Sequence, residues 1–334
     1  MITIFEYNNI NGCVQVEDNS LKSWDKNGND IIWIDIQDES SEKIASFLKD
    51  NFNFHPLVIE DASKYTDFDK KYHLPKVEDF EEYVFIVFNS IEKIADAKFK
   101  VIPLSCFLGH NFLITIHSKN LNEHILLKLK EGYFKSAMKK GVDYFLHIIL
   151  DEIVDKYYPI LDGFEAKIDS VQDIIFKRSP SNRTLIEIMN LKKQLVELRR
   201  IAFYQKEVLF KVTRGDIELI TESEAIYYRN VYDHLVRVTD SVESYRDLIT
   251  SLMDSYLSIV NNRLSEITKV LTIIATIVLP LNLITGIYGM NLIDLPFADS
   301  HLGFYFVLTL MVTVIVIMLL WFKRKQWIDI KKEF

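Results

Sequence analysis

Two stretches near the C-terminus carry no charge: Val270 to Ile293, 24 residues, and Leu302 to Phe322, 21 residues. A helix that crosses a bilayer takes about 20 mostly apolar residues. Helices buried in a soluble core are usually shorter and broken by charge, so two membrane spans fit better. Only Asp294 to His301 separates them, which makes a tight helical hairpin. Lys269 immediately precedes the first span, and Lys323, Arg324 and Lys325 follow the second. The connection holds Asp294 and Asp299 and no Lys or Arg. Positive flanks stay in the cytoplasm. The expectation is a protein of the cell membrane, embedded in the lipid bilayer, with both termini cytoplasmic. The opening Met1-Ile2-Thr3-Ile4 has no signal-peptide pattern.

The rest of the chain excludes several classes. Lys and Arg number 39 against 47 Asp and Glu, a net charge of −8, which argues against nucleic acid as a partner. Cys13 and Cys106 are too few for a disulfide framework or a Cys-rich metal site, and suit a reducing compartment. Neither G-x-x-x-x-G-K-[ST] nor G-x-G-x-x-G occurs, and no nucleophile–base pair stands out. We therefore expect no enzyme and no organic cofactor.

Texture changes along the chain. Residues 1–141 read as a cytosolic α/β domain. Ile31 to Ile36 and Tyr83 to Phe88 are β-branched and aromatic, as strands are. Phe99 to Leu108 and Phe112 to His117 flank Gly109-His110-Asn111, a hairpin turn. Ser41 to Asn51 reads as a helix with Ser41 as its cap, and Ala62 to Leu74 as a loop. From Val142 the pattern is helical: Phe145, Ile149, Ile153, Ile160, Phe164, Ile168, Val171 and Ile175 recur at helical spacing. Residues 142–215 form an antiparallel helical hairpin, broken at Ser179-Pro180-Ser181, where Ser181 can cap the second arm. Residues 216–269 are the cytosolic part of a long stalk helix. Then come a first span at 270–291, a loop at 292–301, a second span at 302–322 and a basic tail at 323–334. The stalk starts near Ser223 and meets no Pro or Gly until Pro280. Continued to Gly289, it is roughly 100 Å long.

The stalk carries two stripes. Val231, Leu235, Val238, Val242, Tyr245, Ile249, Leu252, Tyr256 and Ile259 alternate steps of four and three, a coiled-coil-like seam. Out of phase lies a polar line: Asn230, Asp233, Arg237, Asp240, Ser244, Asp247, Ser251, Asp254, Ser258 and Asn261. A solvated face explains that much equally well. The line continues, however, as Ser265, Thr268, Thr272, Ala275 and Leu279 inside the apolar run. Hydroxyls within a span often bond the carbonyl one turn back or let helices approach closely. In register with an acidic cytosolic line, they also suit a water-filled lumen enclosed by several copies. We read Asp254, Ser258, Asn261, Ser265, Thr268, Leu271, Thr272, Ala275 and Leu279 as pore-lining, with Ala275 and Leu279 a hydrophobic constriction.

The first span ends Tyr288-Gly289-Met290-Asn291. Mg²⁺ gives up its water reluctantly, and a ring of Asn amides and backbone carbonyls can hold the hydrated ion without stripping it. Together with His55-Pro56-Leu57-Val58-Ile59-Glu60-Asp61, Pro75-Lys76-Val77-Glu78, Lys269-Val270-Leu271-Thr272 and Pro280-Leu281, this ending resembles the CorA family of divalent-cation channels and transporters. The resemblance covers nearly the whole chain. It implies a homopentameric funnel, with an α/β cytosolic domain, five stalk helices around the pore and second spans outside them. It implies uptake of Mg²⁺, with Co²⁺ or Ni²⁺ also carried, and an outer selectivity site of Tyr288, Gly289, Met290 and Asn291. It further implies that intracellular Mg²⁺ at subunit interfaces holds the closed state, at Asp61 with Asn230 and Asp233.

Two departures stand out. Ser265 and Thr268 replace the Asn and Met usual in the family, which implies a wider, more hydrophilic inner pore. The stalk position aligned with the family's sensor acid is Asn230, a weaker cation ligand than a carboxylate. Two other readings compete with Mg²⁺ transport: the same architecture carrying Zn²⁺, Co²⁺ or Ni²⁺ as main ion, and a membrane-anchored coiled-coil scaffold. The resemblance implies that zinc-transporting relatives replace this Met, so Met290 favours Mg²⁺, and no His/Cys cluster suited to zinc appears in the sequence. The scaffold leaves the polar line inside the span unexplained.

Overall fold

The structure, a computed structural model, describes residues 1–8, 10, 12–16, 21, 24–26, 28–64, 74–95, 97–118, 134–177, 181–290 and 302–327. The chain divides into two compact units, Met1–Met253 and Asp254–Phe334.

The first unit is built on a seven-stranded sheet in the order β2-β1-β3-β7-β6-β5-β4. The strands are β1 (Ile2–Asn8), β2 (Gly12–Val16), β3 (Ile31–Gln37), β4 (Lys76–Asp79), β5 (Tyr83–Ala95), β6 (Lys98–Gly109) and β7 (Phe112–His117). Only β3 and β7 pair in parallel, with Ile34 beside Ile114. The central strands are buried on both faces, which is why they read as nearly unbroken apolar runs. Even-numbered positions of β3 pack with Ile114, Phe85 and Phe107 against α1 (Ser41–Phe52) and α2 (Pro56–Lys64), through Ile44, Leu48, Val58 and Ala62. On the other face Trp33 meets Phe145, ring centroids 5.0 Å apart. That face also buries a polar set: Asp35 Oδ1 accepts from Thr115 Oγ1 at 2.8 Å and lies 2.8 Å from His117 Nε2. The β6–β7 turn needs its glycine, because a Cβ on Gly109 would stand 2.0 Å from the Phe112 ring.

Two local expectations need correction. Ser40, not Ser41, caps α1, its hydroxyl accepting from Lys43 N. The Ser41 hydroxyl instead donates to Ser63 O at 2.8 Å and ties α1 to α2. Ala62 to Lys64 are the last turn of α2 rather than loop, and Ala62 is fully buried. The remainder of that expected loop, 65–73, lies outside the described residues. Pro56 opens α2 at a position where its missing N–H costs nothing.

After α3 (Phe134–Met138) the chain is helical: α4 (Val142–Asp155), α5 (Tyr158–Lys177), α6 (Asn182–Thr213), α7 (Glu222–Tyr288) and α8 (Gly303–Arg324). All eight apolar residues from Phe145 to Ile175 that mark the helical period are buried. The period hides a turn at Lys156–Tyr157 between α4 and α5. Tyr157 there donates its hydroxyl to Gln205 Oε1, and Gln205 Nε2 donates to the Asn89 carbonyl. Ser181 is the N-cap of α6, and its N–H donates to Thr184 Oγ1 at 3.3 Å. Lys167–Glu187 at 2.7 Å links α5 to α6, and Arg199–Glu243 at 2.7 Å links α6 to α7. Gly215, at φ 78°, makes the break before α7.

Candidate ion pathway and divalent-cation sites

Helix α7 runs 67 residues without interruption, through Pro280. Its seam is covered: Val231, Leu235, Val238, Val242, Ile249, Leu252 and Tyr256 are buried, and Tyr245 and Ile259 are half-buried. Its polar line is not. Asn230, Asp233, Arg237, Asp240, Ser244, Asp247, Ser251, Asp254, Ser258, Asn261, Ser265, Thr268, Thr272, Ala275 and Leu279 are all exposed. Leu271 is exposed as well, three residues from Thr268 and four from Ala275 on the same side. The hydroxyls have a definite orientation. Thr268 Oγ1 donates to Leu264 O at 2.9 Å, and Thr272 Oγ1 donates to Thr268 O at 2.8 Å. The proton of each is spent on the backbone, and the oxygen lone pairs remain as acceptors. A row of acceptors on an apolar helix suits hydrated cations and gives anions nothing.

The second unit holds two helices long and apolar enough to cross a membrane, the C-terminal part of α7 and all of α8. None of the most apolar stretch of α7, and 6% of that of α8, is buried within the chain. Core helices of a soluble protein would be covered. At 22 residues, α8 is roughly 33 Å long, enough for a hydrocarbon core of about 30 Å. Lys269 Nζ donates to Gln326 O at 3.3 Å, so the start of the apolar part of α7 and the end of α8 lie at one level. Lys323 and Arg324 fall in that last turn, with Phe322 stacked on Trp327 at 5.6 Å. Basic and aromatic side chains gather where a membrane surface would hold them.

Tyr288 is the last residue of α7. Gly289 N–H donates to Thr285 O at 2.9 Å and Met290 N–H to Ile287 O at 3.2 Å, closing the helix end. A Cβ on Gly289 would stand 3.0 Å from Thr285 O, the same carbonyl its own N–H engages. Gly289 and Met290 are exposed, and Asn291 lies outside the described residues, as does the expected loop to His301.

The expected sensor residues fall on two elements. Asp61 is in α2, and Asn230 and Asp233 are exposed on α7. Asp61 has a partner that sequence reading missed: Lys76 Nζ lies 2.5 Å from Asp61 Oδ2 and 2.7 Å from Glu78 Oε1. Burial pulls the Lys76 ammonium down, but hydrogen bonds and charge from Asp61 and Glu78 outweigh it and hold its pKa above the ordinary lysine value. Asp61 therefore does not fit a divalent ion unless Lys76 is displaced. The only sequence signal for this pair was a lysine following Pro75 at the start of a strand.

Comparison with known proteins agrees with this arrangement. The family model described as CorA-like Mg²⁺ transporter protein matches residues 28–324. The chain is 35% identical over 300 residues to the cobalt/magnesium transport protein CorA of Thermotoga maritima, covering 89% of this chain and 83% of that one. It is 30% identical over 303 residues to a putative metal ion transporter of Bacillus subtilis, covering 90% and 91%. The complete structure of the CorA magnesium transporter from Methanocaldococcus jannaschii superposes with a TM-score of 0.82 at 25% identity, covering 98% of this chain and 99% of that one. A family match over most of the length, and a like fold from the sheet to the apolar helices, lead to one conclusion: this chain belongs to the CorA-like Mg²⁺ transporter family.

Proposed function

We propose that the chain is a passive Mg²⁺ uptake channel of the cell membrane. Five copies surround an axis, with the α7 polar line facing a water-filled lumen and α8 facing lipid. The observation that carries this reading is the exposed line from Asp254 through Thr272 to Leu279, which runs unbroken from an acidic segment into an uncovered apolar one. A single hairpin cannot enclose it, so copies must. The acids from Asp233 to Asp254 concentrate cations at the cytoplasmic end. Tyr288, Gly289, Met290 and Asn291 form the outer selectivity site for the hydrated ion, and Ala275 with Leu279 forms a constriction that closes by dewetting. A divalent ion moving inward gains about 4.6 kcal/mol per 100 mV, twice the roughly 2.3 of a single charge, so the membrane potential suffices as the driving force. Intracellular Mg²⁺ closes the channel. Of the residues assigned to that role, exposed Asp233 is better placed than Asp61, which Lys76 engages. Co²⁺ is carried as well, a reading supported by the name of the Thermotoga relative.

Dye-reported Mg²⁺ entry into proteoliposomes with an inside-negative potential tests the reading. Wild type admits Mg²⁺, Asn291→Ala does not, and native mass spectrometry finds five chains for both. Absence of entry in correctly inserted wild type, with Mg²⁺ chelated on the cytoplasmic side, sinks the assignment.

A further inference from the structure

A cavity of about 800 Å³ opens where the end of the β5–β6 hairpin meets helices α5 and α6. Pockets for small organic ligands typically measure about 300–1,000 Å³. Lys98 joins its wall from β6, Lys167 from α5 and Arg183 from α6. Among the described residues the wall holds one carboxylate, Glu187, and Lys167 Nζ already engages it at 2.7 Å. Lys98 and Arg183 form no ion pair among the described residues, so two positive charges stay uncompensated in a chain of net charge −8. The N-terminus of α6 opens on the same space, through Ser181, Arg183 and Thr184. Thr184 N–H is used on Ser181 O at 3.0 Å and Ser181 N–H on Thr184 Oγ1 at 3.3 Å. Arg183 N–H is left as a first-turn donor with no partner inside its helix. Ile174, Ile186 and Leu191 give the wall an apolar part, and Ile186 is 58% exposed. Gln194 adds a buried amide oxygen with no hydrogen-bond partner.

We propose that this cavity binds a nucleoside di- or triphosphate, with the phosphates on Lys98, Arg183 and the end of α6 and the ring over Ile174 and Ile186. The cations decide the charge. A guanidinium pairs two-pronged with phosphate, an ammonium neutralises it as a point charge, and a helix N-terminus adds N–H donors and a favourable dipole. The volume decides the size. A bare phosphate fills a small part of the space and leaves Ile186 in water, whereas a ring covers that side chain. A metal ion is a poor occupant, because Glu187 is engaged and the remaining charges are positive. A wholly apolar ligand strips water from Lys98 and Arg183 and gives nothing in return. The Gln194 oxygen needs a donor, which an amino or hydroxyl group of the nucleoside supplies once the covered amide turns towards the cavity. Bound there, the nucleotide joins the sheet to the α5–α6 hairpin, and Arg199–Glu243 joins that hairpin to α7. The site requires no conduction, and its test is independent of the transport reading.

The test is equilibrium dialysis of labelled ADP and ATP against the full-length protein in detergent, at one fixed concentration of free Mg²⁺. Wild type binds one nucleotide per chain, more weakly as salt rises. Lys98→Gln and Arg183→Gln each weaken binding about tenfold, the loss of one charge-assisted hydrogen bond. Lys193→Gln, exposed on α6 outside the cavity, binds as wild type does. Adenosine alone and inorganic phosphate alone bind far more weakly than ADP, because each makes only part of the contacts. Absence of saturable binding by wild type, or wild-type affinity in both cavity variants, overturns the proposal. So does inorganic phosphate binding as tightly as ADP, which marks a site for simple anions. Lys98 and Arg183 are exposed, so Gln at either is a mild change, and circular dichroism and gel filtration confirm that the variants are folded.

Discussion

The hydroxyl of Thr272 is the sharpest point at which the proposed lumen meets the structure. Its proton goes to Thr268 O at 2.8 Å, so it faces outward as an acceptor only. Thr272→Val keeps the branched shape and removes that acceptor. In a pentamer five acceptors vanish from one level. At about 0.5 kcal/mol each, the low end for a hydrogen bond, the hydrated ion loses about 2.5 kcal/mol there, roughly 70-fold in rate. The assay is potential-driven Mg²⁺ entry into proteoliposomes, normalised to inserted protein. A control lies in α8, where Thr309 and Thr313 make the same back-bonds, to Tyr305 O at 2.7 Å and Thr309 O at 2.8 Å. Thr309→Val and Thr313→Val leave entry within twofold of wild type, because α8 lies outside the proposed lumen. If Thr272→Val conducts as wild type does, or if the α8 variants lose as much, then the hydroxyls only serve their own helices, and the polar line is no pathway.

Gly289→Ala places a Cβ 3.0 Å from Thr285 O and abolishes Mg²⁺ entry, whereas Gly286→Ala, whose Cβ meets nothing within 4 Å, retains it in the same assay. Leu235→Ala empties a fully buried seam position and lowers stability by about 2–5 kcal/mol, while Asp240→Ala on the exposed line changes it by no more than about 0.5 kcal/mol; pulse proteolysis in urea separates the two. His147 is buried, and burial first and the nearby Lys140 second push its pKa down from 6.5 to about 4. The unfolded chain therefore binds the extra proton between those values. Stability is level above about pH 6.5 and falls by about 3 kcal/mol as pH drops to about 4. His147→Phe removes this dependence, which thermal melts across that pH range reveal.

What was legible in the sequence follows from where the information lies. The β3 and β7 strands are covered on both faces, so they appear as short β-branched runs whatever packs on them. The α7 seam writes its period into nine side chains, and the absence of Gly and Pro between Ser223 and Pro280 marked one long helix, which runs on through Pro280 to Tyr288. The turn at Lys156–Tyr157 escaped because the step from Ile153 to Ile160 is seven residues, which an unbroken helix also gives. Pro159, in the first turn of α5, was the overlooked sign. The cap of α1 slipped by one residue because Ser40 and Ser41 are chemically alike, and only backbone geometry chooses between them.

Contacts across the fold left almost no local mark. Asp61 meets Lys76 only because α2 packs beside the strand that Pro75 introduces, and His234 meets Asp151 only because α7 returns along α4. This has a bearing on how divalent cations act on the chain. The acid that family resemblance singles out as a sensor already holds an ammonium, and its aligned partner on the stalk is the neutral Asn230. An ion acts most strongly where charge is uncompensated before it arrives, because there it displaces no partner and relieves an existing repulsion. By that criterion Asp61, whose charge Lys76 already compensates, is a poor place for a divalent cation to act.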